Sequence, residues 1–160
     1  MRVRAAVVTI SDSCHNGTRE DLSGPALCAQ VRGSGWEVVH TAVLPDEAAQ
    51  IASLLRSLSD SGEADVIFTT GGTGVAARDV TPEATRSILD KEIPGIGELM
   101  RAEGLKVTPL AVLSRSLAGS RGSTLIVNLP GSPKGAKQSL DAIVRVVPHL
   151  VDLLHGRTGH

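Results

Sequence analysis

The stretch Ala64-Asp65-Val66-Ile67-Phe68-Thr69-Thr70-Gly71-Gly72-Thr73-Gly74 decides the fold. Its first part is short, apolar and β-branched, as expected of a strand buried on both faces of a parallel sheet. It runs without a spacer into three glycines within four residues. One or two of them would serve a tight strand-to-helix turn, but three leave a loop bare of side chains, where a ligand can approach the backbone closely.

The same grammar repeats on either side. Val3 to Ile10 is another β-branched run, emptying into the polar loop Ser11 to Gly17. A helix is expected from about Gly24, with Pro25 in its first turn, to the Gly33-Ser34-Gly35 break. Trp36 to Leu44 reads as a strand. After Pro45-Asp46, the apolar residues Ala48, Ile51, Ala52, Leu55 and Leu58 recur at helical spacing up to the polar run Ser59 to Gly62. Thr81-Pro82 predicts a helix capped by the threonine hydroxyl and continuing to about Lys91. Pro94, Gly95 and Gly97 interrupt it, and Glu98 to Gly104 is a further helical piece. Leu110 to Leu113 precedes a Ser/Gly/Arg-rich loop from Ser114 to Ser123, and Thr124 to Leu129 is a late strand closed by Pro130-Gly131-Ser132-Pro133. Leu140, Ile143, Val144, Val147, Val151 and Leu154 mark the buried face of a C-terminal helix that Pro148 kinks or splits.

Strand and helix alternate from end to end, with no repeat and no long linker. Residues 1–160 are therefore expected to form one domain, an α/β/α three-layer sandwich with a mostly parallel sheet. A chain of 160 residues, 41% hydrophobic and 21% charged, needs no disulfide or metal to hold its core.

Composition excludes several classes of function. Lys and Arg total 16 against 17 Asp and Glu, leaving no broad electrostatic footprint for nucleic acid or an anionic membrane. Trp36 and Phe68 are the only aromatic residues, which removes base stacking on aromatic platforms. Cys14 and Cys28 fit neither a redox pair nor a zinc knuckle, and His15, His40, His149, His155 and His160 show no metal-ligand spacing. With no apolar run near the ~20 residues that span a bilayer and no signal-peptide pattern, a cytoplasmic protein with reduced thiols is expected.

In sheets of this kind ligands bind beyond the carboxyl ends of the strands. The segments leaving the strands carry Ser11, Asp12 and Ser13; Asp46; Gly71 through Asp79; and Pro130 through Lys134. Glycines, hydroxyls and carboxylates with few bases and aromatics suggest phosphate chemistry assisted by a metal. Asp79 is either a solvated loop acid or a metal ligand, since Thr81 can cap the next helix without it. Asp46, placed at a helix start, reads on spacing as an N-cap. Asp12 and Asp21 read as turn or cap residues.

Five ordered motifs then carry a resemblance. Thr9-Ile10-Ser11-Asp12-Ser13, Leu44-Pro45-Asp46-Glu47, Thr70 to Gly74 with Arg78-Asp79-Val80-Thr81-Pro82-Glu83-Ala84-Thr85, Leu113-Ser114-Arg115-Ser116 and Asn128 to Pro133 resemble the molybdopterin-binding MogA/MoaB family. They are similar also to the homologous G domains of plant and animal molybdenum-cofactor proteins. The resemblance spans nearly the whole chain. It implies a Mg²⁺-dependent molybdopterin adenylyltransferase that joins AMP from ATP to the terminal phosphate of molybdopterin and releases pyrophosphate. It implies catalytic and metal-binding roles for Asp46 and Asp79, against the capping role for Asp46. Ser11, Asp12, Ser13, Gly71, Gly72, Thr73, Gly74, Ser114, Arg115, Pro130, Gly131 and Ser132 would bind substrate. Arg78 or Arg115 would share the phosphate charge, unless Arg78 merely pairs with Asp79. A homotrimer and a molybdenum-insertion protein as partner are also implied. The alternatives are a non-catalytic pterin carrier and a nucleotide-sensing regulatory subunit.

Overall fold

A computed structural model describes residues 2–159, so His160 lies outside the described residues. The elements run β1 (Arg4–Ile10), α1 (Asp12–His15), α2 (Ser23–Gly33), β2 (Glu37–Leu44), α3 (Ala48–Asp60), β3 (Val66–Thr70), α4 (Thr81–Arg86) and β4 (Lys91–Glu92). Then come α5 (Pro94–Leu105), a 3-10 turn (Pro109–Leu113), β5 (Ala118–Arg121), β6 (Thr124–Leu129), α6 (Pro133–Ile143) and α7 (Val147–Leu154). The strands form one sheet in the order β2-β1-β3-β6-β5-β4. Neighbours from β2 to β6 are parallel, and β5 runs antiparallel to both β6 and β4.

Strand alternation sorts the core into two layers. Ala5, Val7, Val66, Phe68, Leu125 and Val127 pack on one face against α2, α5, α6 and α7. Ala6, Val8, Ile10, Ile67 and Ile126 pack on the other against Ile51, Leu55 and Leu58 of α3 and Ala84 of α4. The expected three-layer α/β/α sandwich is thus observed. Both aromatic rings lie in the first layer, Trp36 stacked on Phe68 with centroids 6.3 Å apart.

Several local expectations are corrected. The polar stretch after β1 contains α1, which Ser11 caps by accepting from the Cys14 amide. Thr81 is the first residue of α4 rather than its cap, and Val80 precedes it with no side-chain cap. That helix ends at Arg86, and Lys91–Glu92 is a short strand because it pairs with β5. Pro94 starts α5 instead of interrupting a helix, its fixed φ suiting the first turn. Gly97 is bare because a β-carbon there would stand 2.8 Å from the Ser116 carbonyl oxygen. The loop expected from Ser114 to Ser123 holds β5, folded back on β6 through Gly122 at φ +56°. Pro148 splits the C-terminal helical region, and α7 begins beside it.

Candidate functional site

Register places the strand ends together. Ile10 lies opposite Leu44, Thr9 opposite Thr70, and Thr70 opposite Leu129, so the exits of four parallel strands share one rim. The ladder continues one step outward through the Ser11 amide to Leu44 O (2.9 Å) and the Gly71 amide to Leu129 O (3.1 Å). Three exits then meet closely. Gly71 has φ +109°, and a β-carbon there would stand 2.1 Å from Ile10 O. One on Gly131 would stand 3.2 Å from Gly71 Cα. The Thr70 hydroxyl donates to Pro130 O (2.7 Å) and that of Ser23 to Gly131 O (2.6 Å), fixing the turn after β6.

A cavity of about 310 Å³ opens at this rim. It brings together Ser11, Asp46, Gly71, Gly72, Asp79, Gly131 and Ser132 of the residues singled out in the sequence. Asp12, Ser13, Thr73, Gly74, Ser114, Arg115 and Pro130 do not line it. Cys14, Arg19, Glu20 and Asp21 do, and sequence reasoning missed their place there. The signal was the length of the β1 exit, which stays at the rim until α2 begins at Ser23. Asp21 bonds both the Gly24 amide (3.0 Å) and the Thr9 hydroxyl (2.8 Å), tying the start of α2 to the end of β1.

Asp46 is not a helix cap. The N-cap of α3 is Glu47, without a side-chain bond. Asp46 instead exchanges two bonds with Asp12: its carboxylate accepts from the Asp12 amide, and its amide donates to the Asp12 carboxylate, each at 2.9 Å. Burial pushes the Asp46 carboxyl above its ordinary value, and the charges of Asp12 and Asp79 add to that, against the Asp12 amide bond and Arg78. Arg78 pairs with Asp12 through two bonds of 3.0 Å and with Glu47 at 3.0 Å, not with its neighbour Asp79. That guanidinium, aided by the Asp46 amide, holds the Asp12 carboxyl below its ordinary value.

Asp79 sits at the end of the loop between β3 and α4. One of its carboxylate oxygens accepts from the Ala76 amide (2.9 Å), and its amide donates to Ala76 O (3.0 Å). Gly72, at φ +68°, lies beside Asp46: a β-carbon there would stand 3.0 Å from the Asp46 carboxylate and 2.3 Å from the Thr81 hydroxyl. That hydroxyl donates to Gly71 O (2.9 Å), the bond that replaces the expected cap. Arg115 bonds Glu83, Gly74 O and Asp79 O. The Ser13 hydroxyl faces that of Ser11 at 3.2 Å.

A second cavity of about 190 Å³ adjoins the first across Ser132, which lines both. Its walls include Met100, Leu110, Ala111 and Pro130, with Ser114 and Gln138 among its polar groups. Ser132 also caps α6, accepting from the Gly135 amide at 3.0 Å. Among the described residues, no histidine lines either cavity. Among the described residues, no group of three or more His, Cys, Asp or Glu side chains is placed to hold a metal ion unaided. Among the described residues, no helix is long and apolar enough to cross a membrane.

Residues 6–150 match a family described as a probable molybdopterin binding domain. The molybdopterin adenylyltransferase of Helicobacter pylori J99 is 41% identical over 157 residues, covering 96% of this chain and 89% of that protein. That of Escherichia coli K12 is 38% identical over 169 residues, covering 96% and 86%. The crystal structure of the molybdopterin biosynthesis enzyme MoaB of Thermus thermophilus superposes with a TM-score of 0.90 at 48% identity, covering 99% of this chain and 98% of that one. Fold and sequence agree along nearly the full length, and the chain belongs to the molybdopterin-binding MogA/MoaB family.

Proposed function

We propose that the protein is a molybdopterin adenylyltransferase of molybdenum cofactor biosynthesis, transferring AMP from ATP to the terminal phosphate of molybdopterin. The observation that carries this is the rim cavity, where Asp46 and Asp79 face bare glycine backbone and a second, largely aliphatic cavity adjoins. In the transfer, a terminal phosphate oxygen of molybdopterin bonds to the α-phosphorus of ATP. The bond from that phosphorus to the bridging oxygen breaks, and pyrophosphate leaves. The attacking oxygen is already anionic near neutral pH, so the transfer needs no histidine base.

The wall carries Glu20, Asp21, Asp46 and Asp79 against the single cation Arg19. A polyanion entering this wall needs added positive charge. Mg²⁺ fits the donor set, because it takes one or two carboxylates and completes its shell with water and substrate phosphates. Asp46 and Asp79 are the residues that would hold it, and it would neutralise charge on the α-phosphate and the departing pyrophosphate. The Gly71 amide is spent on Leu129 O, but the Gly72 amide is not engaged among the described residues and would meet a phosphate oxygen along backbone bare of side chains. Arg19 has no ion-pair or hydrogen-bond partner for its guanidinium among the described residues, which leaves it free to meet a phosphate. The second cavity suits a heteroaromatic ring held by aliphatic walls and hydroxyls.

A homotrimer in the cytoplasm, with a molybdenum-insertion protein downstream, completes the proposal. The exposed apolar run Leu105, Val107, Leu110, Val112 and Leu113 supports self-association. The decisive experiment incubates the purified protein with molybdopterin, ATP and Mg²⁺ and looks for adenylylated pterin by mass spectrometry. Product above the no-enzyme control is expected. Binding of both ligands without product would make the protein a carrier, and ATP binding indifferent to molybdopterin would make it a nucleotide sensor.

A further inference from the structure

We propose that Arg115 is a positioning residue whose guanidinium closes the neck of the Asp79 loop and so aims the Asp79 carboxylate into the rim cavity. The inference rests on the role proposed above for Asp79. The tip of that loop, from Val75 to Arg78, is exposed, Val75 being 71% accessible, and is tethered from its far side by Arg78 to Asp12 and Glu47. Three bonds on its neck come from one residue. The Arg115 amide donates to Thr73 O at 2.8 Å, Nε to Gly74 O at 2.8 Å, and Nη2 to Asp79 O at 2.8 Å. One side chain therefore bridges both ends of the loop.

The two ends also touch. A β-carbon on Gly74 would stand 2.8 Å from Asp79 Oδ2, so a slip of either strand of the neck displaces the carboxylate. Glu83, in the first turn of α4, accepts from both Nη1 and Nη2 and keeps the guanidinium plane facing the neck. The segment that carries Arg115 is itself anchored to α5, because Arg101 donates to Ser114 O (3.3 Å) and Ser116 O (2.7 Å). The brace is thus tied to α5 through Arg101 and to α4 through Glu83.

These commitments leave Arg115 little to offer a substrate. Of the guanidinium's five N–H groups, those bonded to Gly74 O, Asp79 O and both Glu83 oxygens are already engaged. Lysine cannot take its place, since one ammonium nitrogen does not span two carbonyls and a carboxylate in a fixed plane. Arg115 also lies outside the 310 Å³ cavity lined by Asp79.

The test is Arg115→Lys in the full chain, read by amide hydrogen exchange and by steady-state kinetics. Exchange across residues 74–79 should quicken at least ~10-fold while the sheet amides and the melting temperature hold, because opening is local. Turnover should fall at least ~10-fold with KM for ATP and molybdopterin within about twofold, as loss of an aimed group rather than of a substrate contact requires. Unchanged exchange in 74–79 overturns the proposal. So does exchange that quickens throughout the sheet, or a loss confined to KM, which would make the guanidinium a substrate ligand. If the wild type forms no adenylylated pterin, the proposed activity has failed, and the exchange measurement still decides the brace.

Discussion

Gly72→Ala tests whether the rim is built as tightly as its geometry requires. The native φ of +68° lies in the left-handed region, which costs an alanine ~1–2 kcal/mol. The new β-carbon would stand 2.3 Å from the Thr81 hydroxyl, so the threonine must turn away and break its buried bond to Gly71 O. Leaving that carbonyl unsatisfied adds ~1–3 kcal/mol. Together the loss is ~2–5 kcal/mol, and the thermal midpoint of a chain this size should drop on the order of 10 °C. The same β-carbon would press on the Asp46 carboxylate at 3.0 Å, which Thr81 does not control. Stability and activity should therefore separate in the double variant. Thr81→Ala alone loses the bond to Gly71 O, whereas in Gly72→Ala/Thr81→Ala that bond is already gone and the clash with the hydroxyl is relieved. Urea melts of the four proteins should show the double variant more stable than the sum of the singles by at least ~1 kcal/mol. Adenylylation measured on the folded double variant should stay low. Additive losses, or a single variant melting within ~0.5 kcal/mol of wild type, would refute the packing argument; restored turnover in the double variant would remove Asp46 from the site.

Asp46→Asn keeps an oxygen to accept the Asp12 amide but removes the charge, and turnover should fall by ~100-fold, as it should in Asp79→Asn. Because the folded-state pKa of Asp46 is raised, its ionised form weakens the fold above that value and not below the unfolded one. The Asp46→Asn variant should therefore melt no lower than wild type at pH 7, with any gain fading as pH falls; a large loss of stability at pH 7 would argue for a structural carboxylate. Asp65 behaves oppositely. Burial pushes its carboxyl up, but the Arg4 side chain and amide, with the nearby His155 ring, outweigh this and hold it below its ordinary value. The stability it contributes is full above the unfolded value near 4 and is lost as pH falls through the lowered one. Asp65→Asn should lower the midpoint at pH 7 and match wild type at the acid end, and parallel curves would contradict the assignment. Finally, Cys14 lines the rim cavity while Cys28 is buried with its thiol pushed up by desolvation. A thiol reagent at pH 7.5 should label Cys14 first, and ATP with Mg²⁺ should slow it; equal labelling with and without nucleotide would place the nucleotide elsewhere.

The parts of the fold legible in the sequence were those set by long apolar patterns. β1, β3 and β6 are buried because Val, Ile and Leu repeat there, and their aligned register makes the strand exits converge. β5 was hidden because Ala118-Gly119-Ser120-Arg121 has no hydrophobic pattern. Its burial comes from close approach, with a β-carbon on Gly119 placed 2.4 Å from Lys91 O. At the rim the local rules failed together, and for one reason. Asp46 at a helix start, Thr81 before a proline and Arg78 beside Asp79 all had good partners close in sequence. In the fold each meets a group from another strand exit or loop residue: Asp46 meets Asp12, Thr81 meets Gly71 O, and Arg78 meets Asp12 and Glu47.

Such departures from local preference are expected where a site, rather than an element, is being built. They also explain how a chain with so few aromatic residues can serve ring-bearing ligands. Trp36 and Phe68 are committed to each other inside the α2 and α6 layer, so neither ring is available at the rim. What the rim offers instead is polar groups held still by one another. Asp12 and Asp46 lock two exits, Thr81 locks the glycine turn, and Arg115 locks the loop of Asp79. Orientation fixed in advance substitutes for stacking area, because a ligand gripped at its phosphates by rigid donors loses little further entropy in seating its ring. The consequence is a site whose affinity should depend on phosphate count and Mg²⁺ more than on the identity of the base, and competition between ATP and inorganic tripolyphosphate measures that directly.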